Sequence, residues 1–153
     1  MNLSVRLLRV HAATFVVTVA GDLDLYSAPL LSPLLAPPPG PGPRHIVLDA
    51  ARLIFCDVAG ARLLTSTHQI LKETGGGLVI AGAPGSLRRL TALVAGHPAD
   101  APAHHADVPE ALRACAGPGG EDVSPYAPRH LPSFRGLGAG RGAPTGARVR
   151  RRT

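Results

Sequence analysis

Apolar positions along the first hundred residues change period several times, and each change predicts a new element. Leu3 to Val10 alternates only partly, while Thr14-Phe15-Val16-Val17-Thr18-Val19-Ala20 is β-branched and aromatic, with His11-Ala12-Ala13 between them. That reads as a β-hairpin, with Gly21 ending its second strand. Leucines at 30, 31, 34 and 35 have helical spacing and predict a first helix from near Ala28, with Ser27 as its N-cap. Pro29 suits the first turn, but Pro33 removes an interior hydrogen bond, a loss of about 3 kcal/mol in a regular helix, so the helix is expected to be short or kinked. The run Pro37-Pro38-Pro39-Gly40-Pro41-Gly42-Pro43 cannot continue it and predicts a stiff extended connector.

Ile46-Val47-Leu48-Asp49 is a near-continuous apolar strand, which places it in the middle of a sheet covered on both sides. Leu63, Leu64, Thr67, Ile70, Leu71 and Thr74 then recur at offsets of three and four, one face of an amphipathic helix that Gly75 to Gly77 stop. Leu78 to Ala81 supplies a fourth strand. Ser86 can cap a helix carrying Leu87, Leu90 and Val94 on one side and ending at Gly96. A weaker pattern suggests a short strand within Ala101 to His105 and a helix from Asp107 to Cys115. The order is β-β-α-β-α-β-α without internal repeats, which argues for an α/β arrangement whose sheet the opening hairpin makes mixed.

Length and composition narrow this picture. At 153 residues the chain suits one domain with a real core, and with aromatics at 3% that core must be aliphatic. The net charge of +6 is concentrated at one end. Residues 1–115 carry nine Lys and Arg against eight acids, whereas residues 116–153 carry seven arginines against two acids, with eight glycines and five prolines. A domain over 1–115 followed by a disordered basic tail over 116–153 is therefore expected. No run approaches the roughly 20 apolar residues of a membrane span, the start lacks a signal-peptide pattern, and a cytoplasmic protein is expected. Cys56 and Cys115 lack CxxC spacing and are read as two reduced thiols.

Candidate chemistry is sparse. The sequence has no GxxxxGK[ST] loop, GxSxG elbow or HExxH helix, so neither an enzyme nor a cofactor is expected. Gly75-Gly76-Gly77 opens a strand instead of leading from one into a helix, which excludes a nucleotide loop. His97, His104 and His105 lack metal-ligand spacing, and Arg88 and Arg89 read as a solvated cationic face. Asp57, at a strand-to-helix turn, can cap the helix that follows. Asp22 and Asp24 fall in the turn after the second strand, where aspartate commonly bonds its own backbone.

His45-Ile46-Val47-Leu48-Asp49-Ala50-Ala51-Arg52-Leu53-Ile54-Phe55-Cys56-Asp57-Val58-Ala59-Gly60, taken with Gly21-Asp22-Leu23-Asp24 and Thr74 to Gly82, resembles the STAS domain of bacterial anti-sigma factor antagonists. The resemblance covers roughly residues 3–95. It implies a small mixed sheet with helices packed mainly on one face, and a docking surface for an anti-sigma factor of the serine-kinase ATPase type. The docking turn falls on Asp57, Val58, Ala59 and Gly60, with Asp24 beside it. Relatives usually carry a phosphorylatable serine where this chain has Val58. Phosphorylation there would place about −1.5 to −2 charges on the turn. Neither Val58 nor Ala59 has a hydroxyl, and Thr65, Ser66 and Thr67 lie too far along the helix to replace it, so no phosphorylation site is expected at the turn. Three other functions are weaker. A phosphoacceptor receiver built on Asp49 or Asp57 lacks the early acidic pair and a late lysine, since Lys72 is the sole lysine. An accessory STAS subunit of a transporter fits the same residues. Nonspecific nucleic-acid binding through Arg148-Val149-Arg150-Arg151-Arg152 lacks any aromatic platform.

Overall fold

The chain is described by a computed structural model covering residues 2–36 and 42–116. Most of the proline connector, and all but the first residue of the tail expected over 116–153, lie outside the described residues. Among the described residues, five strands and four helices follow in the order β1 (Leu3–His11), β2 (Thr14–Leu23), α1 (Ala28–Leu35), β3 (His45–Cys56), α2 (Val58–Lys72), β4 (Gly77–Ala81), α3 (Gly85–Ala95), β5 (Ala103–His105) and α4 (Val108–Ala116), with a 3-10 turn at Pro98–Asp100. The sheet order is β1-β2-β3-β4-β5. β1 pairs antiparallel with β2, and the remaining pairs are parallel. The mixed sheet, central third strand, short late strand and last helix agree with the pattern in the sequence. A receiver-type sheet, with its early acidic pair between parallel strands, has no counterpart in this hairpin start.

Strand alternation divides the apolar residues between two faces. Val17, Val19, Ile46, Leu48, Leu78 and Ile80 meet Leu31 and Leu35 of α1, Leu64 and Leu71 of α2 and Leu87 of α3 in the larger core. Val16, Val47 and Ala81 point the other way and meet Val108, Ala111 and Leu112 of α4. Three helices thus share one face and one covers part of the other. This follows from β3 and β4 being apolar at consecutive positions, since a strand covered on both sides has no polar face.

β3 runs seven residues past the Asp49 end of the predicted strand. Its register with β2 steps from Thr18↔Asp49 to Ala20↔Arg52, and from Gly21↔Leu53 to Asp22↔Phe55, so each step inserts one extra residue on β3. These bulges break the period-two pattern, which is why Ala50 and Leu53 both face the larger core while Ile54 and Phe55 face water. Gly21 does not end β2. It sits at φ +102 inside the strand, where an added Cβ would overlap the Asn2 carbonyl oxygen, and β2 continues to Leu23. Two caps also differ from expectation. Ser27 makes no cap bond to α1, and α3 starts behind Pro84 with Ser86 already in its first turn. Gly96, at φ +77, ends α3 as the sequence predicts.

Two histidines hold polar bonds beneath the helices. His68 Nδ1 of α2 accepts from Leu78 N at 3.0 Å, which requires that nitrogen to be unprotonated. His104 Nε2 of β5 lies 3.1 Å from the buried Thr91 hydroxyl of α3. Burial lowers the pKa of both rings, that of His104 to about 4, with the charges of Arg88 and His105 adding to the effect. A histidine whose folded pKa lies below its unfolded value of 6.5 contributes full stability above that value and loses it as the pH falls towards 4. Denaturant melts from pH 7 to 4 are expected to show a progressive loss, of which His104→Gln removes about 1–2 kcal/mol, allowing for the part of the ring that stays in water. Equal pH dependence in wild type and variant would contradict this assignment.

Candidate functional site

The site lies where β2 and β3 end. Asp57 N donates to Leu23 O at 3.1 Å, so the two strand ends remain joined where their chains diverge into α1 and α2. Asp57 has extended backbone at the N-cap of α2, and its Oδ1 accepts from Gly60 N at 2.9 Å. This is the cap expected from the sequence. Its second oxygen does something the sequence does not show: Oδ2 accepts from Leu25 N at 3.0 Å, in the loop between β2 and α1. One carboxylate therefore fixes the start of α2 and the neighbouring loop together.

That loop is stiffened from within. Asp24 Oδ1 accepts from Tyr26 N and Ser27 N, both at 2.9 Å, and these bonds, that from Ser27 foremost, hold its carboxyl below the usual range. The Ser27 hydroxyl accepts from Asp24 N and donates to Asp22 O, each at 2.8 Å. Asp24 thus sits beside the turn, in the backbone-bonding role that aspartate has in such loops. Asp22 remains part of β2, paired with Phe55.

Asp57 to Gly60 form one continuous turn. Val58 is 48% exposed at the first position of α2, and Gly60 is buried. Exposed Leu25 and Tyr26 flank it on the α1 side, and exposed Ile54 and Phe55 precede it on β3. This apolar rim was not singled out in the sequence. The signal was there in Leu53-Ile54-Phe55, three successive large apolar residues that no single strand face can bury. Behind the turn, burial and the adjacent Asp57 charge push the Cys56 thiol up to about 12, so it stays a neutral thiol. No His, Cys, Asp and Glu group suited to a metal occurs among the described residues.

A family profile described as "Mlab, STAS domain" matches residues 7–96, more than half of the chain. This protein belongs to the STAS domain family. Its STAS fold is similar to an anti-sigma factor antagonist from Mycobacterium paratuberculosis, with 27% identity and a TM-score of 0.55 over 74% of this chain and 94% of that one. The anti-sigma factor antagonist SpoIIAA in its unphosphorylated form matches at 18% identity and a TM-score of 0.58, over 74% of this chain and 99% of that one. Murine Slc26a9, an anion transporter, matches at 12% identity and a TM-score of 0.58, over 71% of this chain and 18% of its own. The last two likenesses concern the fold. No curated protein matches significantly.

Within the STAS domain, Gly60 lets the start of α2 pack closely against the end of β2. A Cβ there would come 2.7 Å from both Leu23 Cγ and Leu23 O, and 2.9 Å from Cys56 Sγ. Alanine is the better helix former by about 1 kcal/mol. Gly60→Ala is nevertheless expected to destabilise by about 1–3 kcal/mol, because α2 must move away from β2. Thermal melting of the two proteins decides it, and an unchanged or raised midpoint would show that the contact yields freely.

Proposed function

We propose that this STAS protein is an anti-sigma factor antagonist whose docking surface is the turn Asp57, Val58, Ala59 and Gly60 with Asp24 beside it. Its partner is an anti-sigma factor of the serine-kinase type, and capture of that partner frees a sigma factor for transcription. Binding is assigned to residues 1–115, and the basic tail over 116–153 is outside this role. The observation that carries the proposal is the pair of hydrogen bonds accepted by the Asp57 carboxylate, which fixes the start of α2 where Val58 is exposed next to a loop and a strand end that also expose apolar side chains. Large apolar groups exposed together are characteristic of protein interfaces. The likeness to the mycobacterial antagonist supports the same reading. The murine transporter shares the fold at an identity too low to favour a transporter role.

The side chains at the turn support a reading in which the usual control is absent. Val58 and Ala59 offer no phosphate acceptor. Ser27, in the adjoining loop, is buried and engaged in two hydrogen bonds. Thr65 is buried within α2 and donates to Arg62 O. The domain would therefore stay competent to bind while its partner's kinase is active.

Three proteins test this together. Incubated with a serine-kinase-type anti-sigma factor and ATP, wild type is expected to bind without acquiring phosphoserine at residues 57–60. Val58→Ser is expected to become phosphorylated, because it restores a hydroxyl at the exposed first position of α2. Val58→Asp places charge where a phosphate would stand and leaves the cap untouched, so binding is expected to fall by about tenfold or more, roughly 1.4 kcal/mol, with the melting temperature kept. Equal binding by Val58→Asp and wild type would place the interface elsewhere.

A further inference from the structure

β3 extends beyond its neighbour. β4 pairs with it only from His45 to Asp49, and the chain then turns at Gly82 towards α3. The Ala51 N–H is satisfied by Asp49 Oδ1 at 3.2 Å. From Arg52 to Cys56, β3 is paired with β2 on one side, and no strand among the described residues lies on the other. A main-chain edge of this kind is a template for a further extended segment.

Beside that edge runs a groove of about 310 Å³ between β3 and the first half of α3, lined by Leu53, Ile54, Phe55, Pro84, Leu87 and Leu90. Ligand pockets run from roughly 300 to 1,000 Å³, so this one suits a side chain or two of a longer chain better than an entire small molecule. Ile54 is 82% exposed at its rim. An unpaired backbone edge next to an apolar groove calls for an occupant with both features: an extended backbone, and apolar side chains at alternate positions.

The charges select among such occupants. Arg52 is exposed on β3 and Arg89 on α3, whereas Arg88 lies towards His104 of β5. The Arg89 guanidinium folds back over the first turn of α3, 3.9 Å from where a side chain on Gly85 would begin. That end of α3 has no side-chain cap, so its free N–H groups add partial positive charge. No carboxylate lines the groove, and Asp57, just beyond Cys56, has both oxygens bonded to backbone. The chain's own C-terminal segment, with seven arginines against two acids, has the wrong sign for this rim.

We propose that the free edge of β3 over Arg52 to Cys56, with the groove against α3, is a strand-addition site for an extended apolar segment of a partner protein flanked by carboxylates. It shares Ile54 and Phe55 with the surroundings of the turn at Val58, but it recognises backbone and groove and does not depend on the identity of the partner bound at that turn. The test is a titration of the full isotope-labelled chain, followed by NMR, with a synthetic peptide of sequence Glu-Val-Thr-Val-Glu-Val-Asp and with a counterpart whose acids are all lysine. The acidic peptide is expected to give saturable shifts and slowed amide exchange over residues 52–56 and 85–90, and to bind at least about tenfold more tightly than the lysine peptide. Ile54→Glu, at an exposed position, is expected to keep the wild-type melting temperature and to weaken the acidic peptide by a similar factor. Four results would overturn the proposal: no saturation at millimolar acidic peptide; equal binding of both peptides; shifts of the groove amides on removal of residues 117–153, which would make the tail the occupant; or concentration-dependent dimerisation shifting those amides, which would make it a second copy.

Discussion

Asp57 has one carboxylate and two obligations, and much of the surface geometry follows from its meeting both. Oδ1 caps α2 through Gly60 N, while Oδ2 reaches Leu25 N, and the Asp57 N–H itself bonds to Leu23 O. A helix start and a loop 32 residues earlier in the chain are thereby held in one frame. Without the second bond, Asp24, Tyr26 and Ser27 would still form their local turn, since those bonds are internal to the loop. They would have no fixed relation to Val58. Charge-assisted hydrogen bonds to backbone N–H groups are stronger than neutral ones, which suits a partly exposed position where an ordinary bond would exchange with water.

The frame can be this local because the layers beneath it are rigid. Leu23, Leu64 and Leu71 are fully buried in an aliphatic core that the sheet and α1 to α3 share, and Gly60 lets α2 approach β2 to within contact of Leu23. The bulges in β3 add the second ingredient. By shifting register twice against β2, they carry Ile54 and Phe55 out of the core and leave the last residues of the strand with one neighbour in place of two. The same irregularity thus exposes apolar side chains just before the turn at Asp57 and leaves the open edge beside α3.

How much of this the sequence revealed depended on whether the deciding interaction was local. Element order, the start of α1 near Ala28, the Gly96 stop and the Asp57 cap each rest on residues within a few positions, and all were legible. The short strand at Ala103–His105 and the helix after it left only a weak pattern, yet both form where that pattern placed them. Positions set by distant chain were not. Gly21 looked like a strand end because the approach of the Asn2 carbonyl has no sequence signature. Ser27 looked like a cap because serine before an apolar helical run usually is one, but here its hydroxyl is taken by Asp22 and Asp24. The length of β3 was missed because its bulges disrupt the alternation on which strand recognition relies. The resemblance to anti-sigma factor antagonists located the candidate turn, but the contact from Asp57 to Leu25 could be read only from the fold.

Hydrogen exchange at two amides examines that contact most directly. The account predicts that Leu25 and Gly60 N–H are both protected in the native protein, although Leu25 has an exposed side chain, and that Asp57→Ala abolishes both protections together. The Leu78 N–H, held by His68 in another part of the fold, should remain protected in the same variant. If Leu25 exchanges freely in the wild type, or keeps its protection in Asp57→Ala while Gly60 loses it, the carboxylate does not join the loop to the helix and the proposed docking frame is wrong.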